Sequence, residues 1–111
     1  MRKDTKERDF DRQAKLAIMR RDMIDGWPCC VYCGAAAPSN ESPVWSNAHF
    51  IARSQLGKGI PENGLTLCPE CHRRYDQTTA RMRMREHFRE YLKRKHDDWN
   101  EDNLIQRRAY G

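Results

Sequence analysis

The sequence predicts a small α+β domain in which a short strand–loop–strand–helix core lies between longer N- and C-terminal helices. Three observations predict it. Two Cys-x-x-Cys pairs, Cys30/Cys33 and Cys68/Cys71, bracket a segment with the β-branched and aromatic content of strands. Apolar residues recur at helical spacing on both sides of that segment. The core is thin, with 38% hydrophobic and 33% charged residues in a chain of 111, a balance at which a small domain needs a disulfide, a metal or a partner to hold it.

The elements follow in order. Residues 4–25 read as a helix, because Phe10, Ala14, Ala17, Ile18 and Ile24 recur at helical spacing between Lys, Arg and Asp. Gly26 and Pro28 stop it, and its expected role is packing. Residues 29–46 are loop-like, and VYCG has the tight turn that aims two sulfurs at one point. PVWSNAHFI, residues 43–51, suits a strand. QLGKGIPENG, residues 55–64, is glycine- and proline-rich and reads as a loop. LTLC, residues 65–68, is a second short strand, and Pro69 fits the first turn of a helix over 69–76. A longer helix is expected from about Thr79 to His96, with Ala80, Met84, Phe88, Tyr91, Leu92 and Trp99 as its apolar stripe. The tail EDNLIQRRAYG adds one more helical turn in this reading. The expected organisation is one domain over 1–111, with a core at about 30–77 and helical flanks at 4–25 and 79–108.

The N-terminus MRKDTKERDFDRQ is charged throughout and does not read as a signal peptide. No apolar stretch approaches the ~20 residues that span a bilayer, so a cytoplasmic location is expected. In a reducing compartment, thiols at these spacings favour metal over disulfides. Thiolates bind zinc at ~2.3 Å in a tetrahedron, and two Cys-x-x-Cys turns supply the four ligands of a closed structural Zn²⁺ site. The pairs Cys30/Cys33 and Cys68/Cys71 are the expected set, although Cys29 offers an alternative Cys29-x3-Cys33 register. The net charge of +5 points to a polyanionic partner, with nucleic acid foremost. Residues 73–95 carry nine Arg or Lys against three acids, which reads equally as a phosphate-tracking face or as a solvated one. Arg73 and Arg74 follow His72, nearer the cleft expected there, and are the stronger candidates for nucleic-acid contact.

His72 follows Cys71 with no gap. On a helix, neighbours project ~100° apart, so one can face a metal while the other faces a separate cleft. The run AHFIARSQLGKGIPENGLTLCPECHRRYD, residues 48–76, resembles the HNH endonucleases of the ββα-metal superfamily, especially small phage and prophage members. His49, Asn63 and His72 match the three residues that name the family, and Arg53-Ser54 and the cysteine pair before His72 match as well. The resemblance implies metal-dependent hydrolysis of DNA phosphodiester bonds, leaving 5′-phosphate and 3′-hydroxyl ends. It implies that His49 is the general base, Asn63 braces the loop that orients it, and His72 holds a catalytic divalent cation such as Mg²⁺ or Mn²⁺. Arg53 is then suited to clamp a neighbouring phosphate through paired donors. A phage or mobile-element origin is implied too, with DNA and other phage or host DNA-processing proteins as partners. Many members carry a second metal ligand just before the base, where this chain has Ala48; Asn47, Glu62 and Asp76 are candidates to replace it. The alternative expectation is a non-catalytic zinc-ribbon module that binds nucleic acid.

Overall fold

The computed structural model describes residues 8–106. Asp11 caps the first helix, α1 (Arg12–Arg21), by accepting a hydrogen bond from the Ala14 amide. Ala14 and Ile18 are buried on its inner face beside Phe10, whereas Ala17 is exposed. The helix ends well before residue 25, and residues 4–7 of the expected span lie outside the described region. Two features explain the early end. Asp22 is drawn inward, where its carboxylate accepts from the Thr66 amide and the Tyr91 hydroxyl. Asp25 (φ 52°) and Gly26 (φ 80°) then form the two-residue turn of a hairpin, pairing β1 (Met23–Ile24) with β2 (Trp27–Pro28). Ile24 is therefore 61% exposed on a strand, not part of a buried helical stripe.

The second sheet positions the site. β3 (Asn47–His49) pairs antiparallel with β4 (Gly64–Thr66), with His49 opposite Gly64 and Ala48 opposite Leu65. Both strands are shorter than the sequence predicts. Val44 is exposed ahead of β3; beyond it the chain leaves the ladder at Phe50 and Ile51, which are buried in the core. Cys68 leaves β4 to cap a helix. That helix is α2 (Pro69–Gln77), followed after a short turn by α3 (Arg81–Lys95). Met84, Phe88 and Leu92 are the buried face of α3 and join Phe50, Leu65, Leu67 and Tyr75 in the main core. The expected turn in the tail is a 3-10 turn at Glu101–Leu104, and residues 107–111 lie outside the described region. Among the described residues there are thus three α-helices and two small antiparallel sheets, an α+β fold. No helix among them is long and apolar enough to cross a membrane.

Candidate active site and metal centre

Cys30 lies just past β2, and its amide donates to Ala35 O at 2.8 Å while Gly34 N returns to Cys30 O at 3.0 Å. Gly34 has φ 82°, a conformation that glycine adopts without cost, so the chain reverses tightly enough to bring Cys33 back beside Cys30. The second pair is built differently: Cys68 is the N-cap of α2 and Cys71 lies in its first turn. In each pair the later cysteine's amide points at the earlier sulfur, at 3.5 Å. Each amide thus offers its sulfur a hydrogen bond from the chain's own turn. The Val31 amide, bonded to Thr66 O at 2.9 Å, ties the first pair to β4 and so to the second pair.

The four sulfurs of Cys30, Cys33, Cys68 and Cys71 lie within 4.8 Å of one another, and Cys33 Sγ is 3.7 Å from Cys68 Sγ. Four thiolates at ~2.3 Å from one tetrahedral Zn²⁺ stand about 3.8 Å apart, so the donor set fits zinc. Burial and the neighbouring sulfurs push the Cys71 thiol well above its ordinary value, a strain that a cation among the sulfurs relieves. Cys29 is outside the cluster: its sulfur lies 3.4 Å from Trp27 O and its backbone bridges to Ala36. The Cys30 register is therefore the one present.

His72 faces away from the sulfurs into a cleft of about 300 Å³ lined by His49, Ala52, Arg53, Ser54, Asp76 and Arg81. The strand brings His49 there, and the helix brings His72 and Asp76, which stand one turn apart on α2. His72 Nε2 is 3.0 Å from Asp76 Oδ2. An imidazole nitrogen and a carboxylate oxygen in contact are a donor pair suited to Mg²⁺, Mn²⁺ or Zn²⁺. Of the three candidates for the missing ligand, Asp76 is in the cleft. Glu62 lies elsewhere, where its carbonyl accepts from Trp99 Nε1, and Asn47 lines a different cavity with Met19 and Pro28. Ala48 is 0% exposed in the core.

Asn63 is fully buried and braces the loop that follows His49. Its Oδ1 accepts from Ile51 N at 2.8 Å, and its Nδ2 donates to Ile51 O at 3.1 Å and to Lys58 O at 2.9 Å. Its own carbonyl accepts from Phe50 N at 2.8 Å. Both sides of the amide are thus satisfied across a fourteen-residue excursion between the strands (residues 50–63), which fixes the chain directly after His49. His49 is partly buried: Nε2 donates to the Arg8 carbonyl at 2.6 Å, and the Phe10 ring lies 4.2 Å from the imidazole. Burial holds the His49 pKa below its ordinary value, outweighing the Arg8 carbonyl, which acts in the opposite direction.

The predicted arginines divide. Arg53 lines the cleft, paired with Asp9 at 2.7 Å. Arg73 lines the adjoining groove with Trp45, His72 and Asp76, and pairs with Glu70 at 2.8 Å. Arg74 lies on the same helix, half-buried and near Glu70. Arg81 was legible in the sequence only as one of a basic run, yet it closes one side of the cleft. It donates to Tyr75 O at 2.9 Å and Phe50 O at 3.3 Å, stacks over the Tyr75 ring at 4.0 Å, and stands 3.7 Å from Asp76.

Residues 30–78 match the HNH endonuclease family, the span that holds the four cysteines, His49, Asn63, His72 and Asp76. A search of curated proteins finds no match.

Proposed function

From the HNH endonuclease segment at residues 30–78, which points to a nuclease with DNA as substrate, we propose a metal-dependent endonuclease whose general base is His49. The single observation that carries this reading is the convergence of His49, His72 and Asp76 on one cleft beside the braced Asn63 loop. His49, held neutral by burial, takes a proton from water as the water oxygen bonds to phosphorus. The bond from phosphorus to the 3′ oxygen breaks, leaving a 5′-phosphate and, once that oxygen gains a proton, a 3′-hydroxyl. His72 and Asp76 would hold a divalent cation such as Mg²⁺ or Mn²⁺, which would supply charge stabilisation for the scissile phosphate and the departing oxygen. Asn63 keeps His49 in register. Arg53, Arg73, Arg74 and Arg81 offer cationic contacts to flanking phosphates. The zinc held by the four cysteines is structural in this reading, and the whole chain works as one nuclease domain.

The test is cleavage of supercoiled plasmid by zinc-loaded protein with Mg²⁺, Mn²⁺ or chelator. Nicking is expected only with added ion, and His49→Ala should lower it by about 10²–10⁴-fold, the usual contribution of a general base. Equal nicking by both proteins removes His49 as the base. A zinc-loaded protein that binds DNA and cuts with neither ion selects the non-catalytic module, the reading that the buried Ala48 favours.

A further inference from the structure

We propose that the segment Arg8–Phe10, outside the HNH span, is part of the active site, and that its Arg8 carbonyl is the group that sets the tautomer and orientation of His49. This rests on the nuclease reading for its consequence but not for its geometry. A carbonyl oxygen can only accept, so the 2.6 Å contact requires the proton on Nε2 and leaves Nδ1 as the basic nitrogen of the neutral ring. Phe10 then limits the ring's rotation, with centroids 4.2 Å apart and planes 31° apart.

The contact is not incidental, because the surrounding chain is shaped to admit the segment. Arg8 donates to the Arg53 carbonyl at 3.0 Å and Asp9 pairs with Arg53 at 2.7 Å, so the segment is fastened to the loop that follows the base. A Cβ at position 59 would lie 2.2 Å from the Asp9 carbonyl oxygen, and a Cβ at position 64 would lie 2.9 Å from the Phe10 ring. Glycine at position 59 is what lets the Asp9 backbone approach; at position 64 a Cβ would meet Ile18 Cδ1 first, at 2.3 Å, so that glycine makes room for α1 as well as for the Phe10 ring. Phe10 also anchors the segment in the small core with Ala14 and Ile18. A segment merely lying over the cleft needs none of this: its backbone is admitted by Gly59, its charge is paired and its ring is buried.

The inference is tested by NMR of ¹⁵N-histidine-labelled, zinc-loaded full chain, with His49 assigned by loss of its signals in His49→Ala. The wild type at neutral pH should show a single neutral Nε2–H tautomer; an Nδ1–H tautomer, or a mixture, overturns the proposal whether or not the protein cuts DNA. Gly59→Ala, whose backbone clash falls on Asp9, should release the ring to a tautomer mixture and lower kcat by about 10²-fold with a smaller change in KM, the scale of a misplaced reacting group. Asp9→Asn loosens the same segment through an exposed ion pair and keeps the test open if Gly59→Ala folds poorly; it should shift the same histidine signals. Unchanged tautomer and kcat in both variants overturn the proposal. Failure of wild-type cleavage would instead refute the nuclease reading, which the tautomer measurement does not depend on.

Discussion

At the scale of the residue, the proposed base is His49, whose burial favours the neutral imidazole. A general base acts only when unprotonated, so the rate should rise with pH as His49 loses its proton. Its folded pKa lies below the ordinary 6.5, so the midpoint of that rise belongs below 6.5. A divalent cation bound by His72 and Asp76 would push in the same direction, so loading the site would not reverse the expectation. Single-turnover cleavage measured against pH, at saturating Mn²⁺, checks it; a midpoint above 6.5 contradicts a base buried in this way. His49, Asn63 and His72 stand out as candidates in the sequence because each sits in a short local run whose spacing survives in the linear sequence. Asp76, which the structure places in the cleft, is in the sequence only one of three alternatives, because a carboxylate near a helix C-terminus looks like any solvated acid. Arg81 was hidden among the nine cations of residues 73–95; what singles it out is contact with two backbone carbonyls and the Tyr75 ring, and neither leaves a trace in spacing.

At the scale of the element, the two-residue turn Asp25–Gly26 was the signal passed over. Asp-Gly between two apolar residues is a strong hairpin signature, but helical periodicity upstream of it reads straight through into residue 24. The apolar stripe of α3 was legible, since Met84, Phe88 and Leu92 repeat every four residues and are all buried. The charges of α3 were not, because a basic run does not say which arginines turn inward. Arg89 bonds Glu101 and Glu86 and lies over the Phe50 ring 5.9 Å away, and Arg85 pairs with Glu101 at 3.6 Å over the same ring. Lys93 is exposed on the same helix. Part of the supposed phosphate face therefore fastens the C-terminal turn to the core. Arg89→Ala should cost about 1 kcal/mol in urea unfolding, combining a partly screened ion pair with lost side-chain packing. Lys93→Ala should stay within about 0.5 kcal/mol, as for most surface changes. Equal losses in the two variants would mean that Arg89 is as free as Lys93.

At the scale of the whole molecule, the question is what holds so polar a chain together. Phe10, Ala14 and Ile18 form a small cluster separate from the main core, and a buried polar junction joins the two regions. In it Arg21 pairs with Asp22 at 2.7 Å and donates to Pro61 O and Gly64 O at 2.7 and 2.6 Å, linking α1 to the loop that carries Asn63. The first cysteine pair hangs from a stretch, residues 29–46, that has few buried apolar residues of its own (Cys30 and Ala37). The Val31 amide ties that stretch to β4, and the four-cysteine cluster is placed to join it to α2 through a metal ion. Structural zinc contributes roughly 10–16 kcal/mol at neutral pH, against a total stability of about 5–15 kcal/mol for a domain of ordinary size. Removing the ion should therefore unfold the domain rather than loosen one loop, and the cleft with it, because His72 follows Cys71 directly and α2 carries Asp76. A strong chelator should abolish the cooperative thermal transition and the dispersion of amide signals, and added Zn²⁺ should restore both. Cys33→Ser should lower zinc content and behave like the chelated protein, whereas Cys29→Ser, with its sulfur outside the cluster, should keep one zinc per chain and an unchanged melting temperature. A chelated protein that still melts cooperatively, with its cleft signals intact, would show that the small apolar core suffices and that the four cysteines hold only the residue 29–46 stretch.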